Sequence, residues 1–320
     1  MPEKLSVKGL WNVLKDSFTG FGNDNVTKLS GSLAYYTVFS MGPLLVVIIS
    51  LCGIFLGHDA AQGKIYAQLA SFVGPDTAAQ LQEIIKNAFI GGKSNIAAVV
   101  GIVTLLLGAT SVFGDIQDSI NKIWGLKAKP KKGWLKMLRN RFLSFSVIAS
   151  LGFLLLVSLG VSAIIEALMH SFQVRFPGVA VVVVYIINLL LTLSITTLIF
   201  GVIFKVLPDA RIKWKDVIAG AITTAILFML GKFGISFYIS KANVGSTYGT
   251  AGSLVILLLW VYYSAIILYF GAEFTKAYAV KYGSSIHPND YAVTTKQVEV
   301  EMGKQTIQDK ENSEHVITEK

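Results

Sequence analysis

Residues 179–204 read VAVVVVYIINLLLTLSITTLIFGVIF, with no acidic, basic or histidine side chain. A helix needs about 20 predominantly apolar residues to cross a hydrocarbon core about 30 Å thick. This stretch meets that length and identifies lipid as the solvent of the chain. Five further blocks repeat the pattern, at Leu33–Phe55, Ala97–Phe113, Phe142–Ile165, Val217–Ile235 and Leu254–Ala272. Backbone polar groups in lipid must be satisfied within the segment, so each block is read as a helix. Transmembrane β-strands would be shorter and would alternate in polarity. The expected fold is all-α: a polytopic bundle of six transmembrane helices with amphipathic helices at its interfaces.

Composition agrees. Hydrophobic residues make up 53% of the chain and charged residues 15%, against about 25% charged in soluble domains. The first block exceeds the 7–15 residues of a signal-peptide core and lacks a small-residue cleavage site after it, so it is kept as the first span. Three regions follow: an amphipathic cytoplasmic segment at 1–28, the membrane domain at 29–282 and a polar tail at 283–320 expected to be disordered.

The formal charge of +9 is unevenly placed, because the tail carries four lysines and seven acids. Lysine and arginine number four before residue 29, eight between Gly114 and Arg141, and four between Lys205 and Asp216. The intervening turn from Glu166 to Gly178 has only Arg175. The positive-inside rule then places both termini in the cytoplasm, in a multi-pass protein of the cytoplasmic (inner) membrane. Trp11, Trp124, Trp134 and Trp214 fall at the same inner interface.

Leu10, Trp11, Leu14, Phe18 and Phe21 recur at helical spacing and predict an amphipathic helix, either on the inner leaflet or packed under the bundle. A second surface helix is expected around Leu81–Phe89. Ile116, Ile120, Ile123 and Trp124 form a stripe that carries the second span past the membrane to Gly125. Lys127, Lys129, Lys131 and Lys132 follow as a basic turn suited to anionic headgroups. Nucleic acid is the rival partner of such a run, and its place between two spans argues against it.

Charges inside the spans are almost absent. Lys232 can snorkel outward, and Glu273 closes the sixth span at its inner side. Uncharged polar residues, joined by the charged Glu273 at the end of the sixth span, form a candidate substrate groove: Tyr36 and Ser40 on the first span, Tyr185, Asn188, Thr192 and Thr196 on the fourth, and Tyr262 with Glu273 on the sixth. Interhelical hydrogen bonding is the plainer role for each. Pro43, Gly249 and Gly252 are candidate hinges. Cys52 is the only cysteine and sits in the first span. The four histidines are scattered, and no zinc, paired-carboxylate or nucleophile motif is present. No enzyme activity, metal or cofactor is expected.

The chain resembles the YihY/virulence factor BrkB family of bacterial inner-membrane proteins. The resemblance rests on Leu33-Ala34-Tyr35-Tyr36 with Ser40 and Pro43, Asp118 with Asn121 and Ile123-Trp124, Leu207-Pro208, and Gly220-Ala221. Tyr248-Gly249, Leu259-Trp260 with Tyr262, and Gly271-Ala272-Glu273 complete it. It covers residues 8–282 and implies a six-helix membrane bundle. Members have carried the label ribonuclease BN, which this sequence does not support: RNA hydrolysis needs metal ligands or acid–base pairs in a wet basic cleft. The resemblance brings no catalytic residues. The expected function is transport or flipping of a lipid-like or amphipathic anionic substrate. The alternatives are a small-solute or ion pathway and a non-transporting membrane scaffold. Membrane lipids are the expected partners, without nucleic acid. The sequence leaves substrate identity, direction, energy coupling and oligomeric state open.

Overall fold

The computed structural model describes residues 6–40, 79, 111–129, 177–241, 252–283, 286–289 and 291–295. Helix α1 spans Val7–Asn23 and is capped by the Ser6 hydroxyl, which accepts from the Gly9 N–H at 3.1 Å. After a turn at Asn25 (φ 55°), helical backbone resumes as α2 over residues 26–40. Helix α3 covers residues 111–123 and stops at Gly125 (φ +65°), a left-handed position that favours glycine. Helices α4 (Pro177–Val206), α5 (Trp214–Lys241) and α6 (Gly252–Tyr282) complete the helical body. Pro177 suits a first helical position, where its missing N–H is not needed.

These last three helices are each long and apolar enough to cross a membrane, over Leu189–Val206, Trp214–Tyr238 and Leu254–Tyr282. They correspond to the fourth, fifth and sixth expected spans. The third block lies outside the described residues, as do most of the first and second and the helix expected near Leu81. Helix α6 outlasts its apolar block by ten residues and carries Glu273, Lys276 and Lys281 beyond it. On α5, Ile218, Ile222, Ile226, Leu230, Phe233 and Phe237 are all exposed at helical spacing. In water such a stripe would be a liability, whereas in a bilayer it is the lipid-facing surface.

Small residues let α5 and α6 approach closely. Gly220 of α5 faces Thr275 of α6, and Gly271 of α6 faces Thr224 of α5. Each threonine turns its hydroxyl back to its own helix, Thr224 to Gly220 O and Thr275 to Gly271 O, both at 2.7 Å. The seam is therefore reciprocal: a Gly-x-x-x-Thr step on one helix meshes with the same step on the other. Further along, Tyr263 fills the space above Gly231. Lipid offers no hydrophobic drive between helices, so contact of this kind is what holds them together.

The core lies where α3 inserts between α4, α5 and α6. Ile120, Ile123, Phe204, Leu207, Val217 and Tyr269 are buried there, so the stripe expected on α3 is the face it buries. The Trp124 indole N–H donates to Ala272 O at 3.1 Å, tying the end of α3 to α6.

Among the described residues, four short strands close one end of the bundle. β1 (Leu126–Ala128) pairs antiparallel with β4 (Ala292–Thr294), and β2 (Ala210–Arg211) with β3 (His287–Pro288). Within the tail expected to be disordered from residue 283 onward, residues 287–288 and 292–294 are paired. Of the expected basic turn, Lys127 lies in β1. Residues 296–320 lie outside the described set.

Candidate functional site

The polar chemistry gathers at the end of the bundle where α1, α3, β1 and α6 meet. Asp24 caps α1, its backbone N–H bonding to Gly20 O at 2.8 Å. Its carboxylate is 3.8 Å from the Lys276 ammonium, and Glu273 is also 3.8 Å from it. Lys276 donates to Ile123 O, so α6 holds the last turn of α3 by a charged hydrogen bond. Helix α1 runs along this part of α6 through Gly9, Val13 and Ser17, all buried, with Gly20 against Glu273. Val7, Leu10, Trp11 and Phe18 remain exposed. The helix both packs on the bundle and presents an apolar face outward.

Two cavities border α1. The first, about 580 Å³, is polar and lined by Asp24 and Lys276, by Asp118, Asn121 and Lys122 of α3, and by Lys127 of β1. Three lysines oppose two aspartates there, leaving a net positive wall. Thr295, just past β4, forms part of its rim and donates its N–H to Gly125 O at 2.7 Å. The second cavity, about 480 Å³, is apolar. Phe18 and Phe21 of α1 face Leu227 and Leu230 of α5 and Tyr263 and Phe270 of α6. Phe18 and Phe270 pack with ring centroids 4.9 Å apart.

Behind the first cavity, Asp209 organises a buried network. Its carboxylate accepts from Gln117 Nε2 at 3.0 Å, Asn121 Nδ2 at 2.9 Å and the Tyr291 hydroxyl at 2.9 Å. Its backbone N–H donates to Asn121 Oδ1 at 2.8 Å, and its carbonyl accepts from the Asn289 N–H at 3.0 Å. Deeper in, Asp115 accepts from Ser32 at 2.7 Å and Tyr269 at 3.5 Å. Burial pushes the Asp115 carboxyl above its ordinary range, and these two hydrogen bonds pull against that shift.

The residues expected to form a groove take separate places. Ser40 is buried and turns its hydroxyl to Tyr36 O at 2.8 Å. Tyr36 is 41% exposed and packs edge-on against Tyr35. Thr196 is buried, while Thr192 and Tyr262 are half-buried. None of these lines either cavity. The side chains of Tyr185 and Asn188 lie outside the described residues, as do Pro43, Gly249, Lys131 and Lys132. Gly252 starts α6, Lys129 is exposed, and Lys127 lines the first cavity. Glu273 is buried at 2% exposure beside it. Sequence reasoning missed Asp24, Gln117, Asp209, Lys276 and Tyr291. Leu207-Pro208 entered the family resemblance without revealing that the next residue is a hub.

The family model described as Virulence factor BrkB matches residues 17–292. A UPF0761 membrane protein of Pseudoalteromonas atlantica is 28% identical over 254 residues, covering 79% of this chain and 81% of that protein. One from Haemophilus influenzae is 26% identical over 255 residues, covering 79% and 90%. A longer relative in Nitrosospira multiformis is 26% identical and is covered over 57% of its length. No solved structure matches the chain.

Proposed function

From its membership of the virulence factor BrkB family, to which this chain belongs as an integral membrane protein, we propose that it carries a lipid-like, amphipathic and anionic substrate across the cytoplasmic membrane, with both termini on the cytoplasmic side. It acts as a carrier rather than an enzyme. One observation supports this most: α1 and α6 border both an apolar cleft and a polar cavity with a lysine excess. An amphipathic anion needs both environments, an apolar wall for its chain and cations for its head. A small inorganic ion would have no use for the Phe18–Phe270 cleft. Lys122, Lys127 and Lys276 each attract a phosphate or carboxylate head. A cationic side chain at the membrane surface contributes about 1 kcal/mol toward anionic lipid. The lipid-facing stripe on α5 leads the acyl portion along the outside of the bundle.

The test is reconstitution into vesicles carrying a labelled anionic lipid in one leaflet. Label should cross faster with protein than without, and Lys127→Glu should slow it. Removing one attractive charge and adding a repulsive one alters affinity by about 2 kcal/mol, or roughly thirtyfold in apparent binding. Equal crossing with and without protein, over several anionic lipids, would reject the proposal. Solute-driven vesicle swelling without lipid movement would assign the protein to small solutes instead.

A further inference from the structure

The seam between α1 and α6 contains a carboxyl pair that the transport reading does not use. Glu273 is 2% exposed, and its Oε1 has no hydrogen-bond partner among the described residues. A Cβ on Gly20 would lie 2.5 Å from its Oε2, so the backbone of α1 sits directly upon it. Asp24 of α1 and Glu273 of α6 meet at one ammonium group. Their shared cation, Lys276, is 3.8 Å from each and spends a hydrogen bond on Ile123 O.

We propose that Asp24 and Glu273 form a proton-binding site that sets the seat of α1 on α6. A buried carboxyl without a donor resists ionisation, a second acidic group at its one cation adds to that resistance, and a proton bound at Glu273 relieves both. The charged groups that face the pair are few. Asp24 comes from α1 and Lys276 from α6 itself. Across the polar cavity lie Asp118 and Lys122 of α3 and Lys127 of β1. Lys276 is thus the one cation beside the pair among the described residues, too distant for a direct hydrogen bond to either carboxyl.

The consequence for α1 has a definite sign. With the proton bound, Glu273 tolerates the dry contact with Gly20. With both groups ionised, a buried charge lacks partners, and α1 lowers the free energy by lifting away and admitting water. The seated form therefore binds the proton more tightly than the lifted form. Seating is complete at low pH and lost as pH rises through the titration of the pair. A second buried atom on the same seam, the Tyr282 hydroxyl over Gly9, also lacks a partner among the described residues, so lifting there would let water reach it. Because Phe18 and Phe21 wall the apolar cleft and Asp24 the polar cavity, lifting α1 opens both. Proton binding in this sense rests on the seam alone. Its use as a gate rests on the transport reading.

Full-length protein in lipid nanodiscs can be followed through a pH titration by infrared spectroscopy and by amide hydrogen exchange of residues 7–23, corrected for intrinsic exchange. The wild type should show a protonated-carboxyl stretch that vanishes as pH rises. Over the same range the protection of α1 should fall by up to about tenfold per pH unit. In Glu273→Gln the component of the band that titrates together with α1 should be absent, leaving only that of other carboxyls such as Asp115, and α1 should stay protected throughout. Asp24→Asn, at the half-buried cap, should shift the α1 transition, since one acidic neighbour is removed and Glu273 ionises at lower pH. A wild-type band unchanged by Glu273→Gln, or α1 protection independent of pH in the wild type, would overturn the proposal. An Asp24→Asn transition at the wild-type pH would do the same. None of these readouts involves lipid crossing, so a failed translocation assay leaves the proton site standing.

Discussion

Gly271→Ala should destabilise the bundle by about 1–3 kcal/mol, the usual cost of forcing extra volume into a close-packed contact. The added Cβ would meet Thr224 Oγ1 at 2.0 Å, Cγ2 at 2.8 Å and Cβ at 2.9 Å. The last of these is no flexible tip, so rotation of the threonine cannot clear it and α5 must move away from α6. Gly271→Leu should exceed that range and prevent stable folding in mild detergent. Reciprocity makes the explanation checkable. Thr224→Ala removes the obstructing hydroxyl and methyl, and it orphans no buried acceptor beyond a carbonyl already bonded within its helix. The double variant Gly271→Ala/Thr224→Ala should therefore recover the part of the loss due to the hydroxyl and methyl, with a coupling of about 1 kcal/mol in the cycle, while the remaining Cβ at 2.9 Å keeps the rest. The matching pair, Gly220→Ala with Thr275→Ala, should behave alike, because Thr275 Oγ1 lies 1.8 Å from a Cβ there. Denaturant or thermal unfolding of the four proteins in one detergent measures this. Additive losses would show that the seam is not the mesh described.

The contrast between legible and hidden features follows from range along the chain. Helices α4, α5 and α6 were readable because 20 or so apolar residues in a row carry their own meaning, whatever they pack against. The buried stripe Ile116, Ile120, Ile123 and Trp124 was equally local, a periodicity within one helix. The Gly–Thr mesh was not, since a glycine and a threonine four residues apart occur on many spans and only the opposed partner gives them a role. The expected polar groove assumed that hydroxyls on apolar helices face a cavity. Ser40, Ser264 and Thr224 instead return their protons to the carbonyl four residues before, the cheapest way to satisfy a hydroxyl in lipid. The strands at 287–288 and 292–294 escaped notice for the same reason as the mesh. They are two and three residues long, set in a polar segment, and their partners at 126–128 and 210–211 lie far away in sequence.

Asp209→Ala should loosen this whole end of the bundle, at a cost of about 3 kcal/mol or more, because it takes the acceptor from two buried donors and one half-buried one, and each buried loss costs about 1–3 kcal/mol. The donors come from two different parts of the chain. Gln117 and Asn121 belong to α3, while Tyr291 belongs to the C-terminal strand segment and is itself positioned by Asn289 Nδ2 at 2.8 Å. The turn between α4 and α5 thus fastens α3 on one side and the strands on the other. Asp209→Asn should rescue poorly: its amide would point an N–H at one of the same donors, and an acceptor-only group suits that environment better. Tyr291→Phe isolates the strand side, removing one donor and leaving Gln117 and Asn121 satisfied, so it should cost only about 1 kcal/mol. Its effect should appear as faster amide exchange at Lys129 and Thr295, whose N–H groups bond to Tyr291 O at 2.7 Å and Gly125 O at 2.7 Å. Exchange across α3 should hardly change. If Asp209→Ala exposed the strands while α3 kept full protection, Asp209 would be a local turn residue and not the joint between the two.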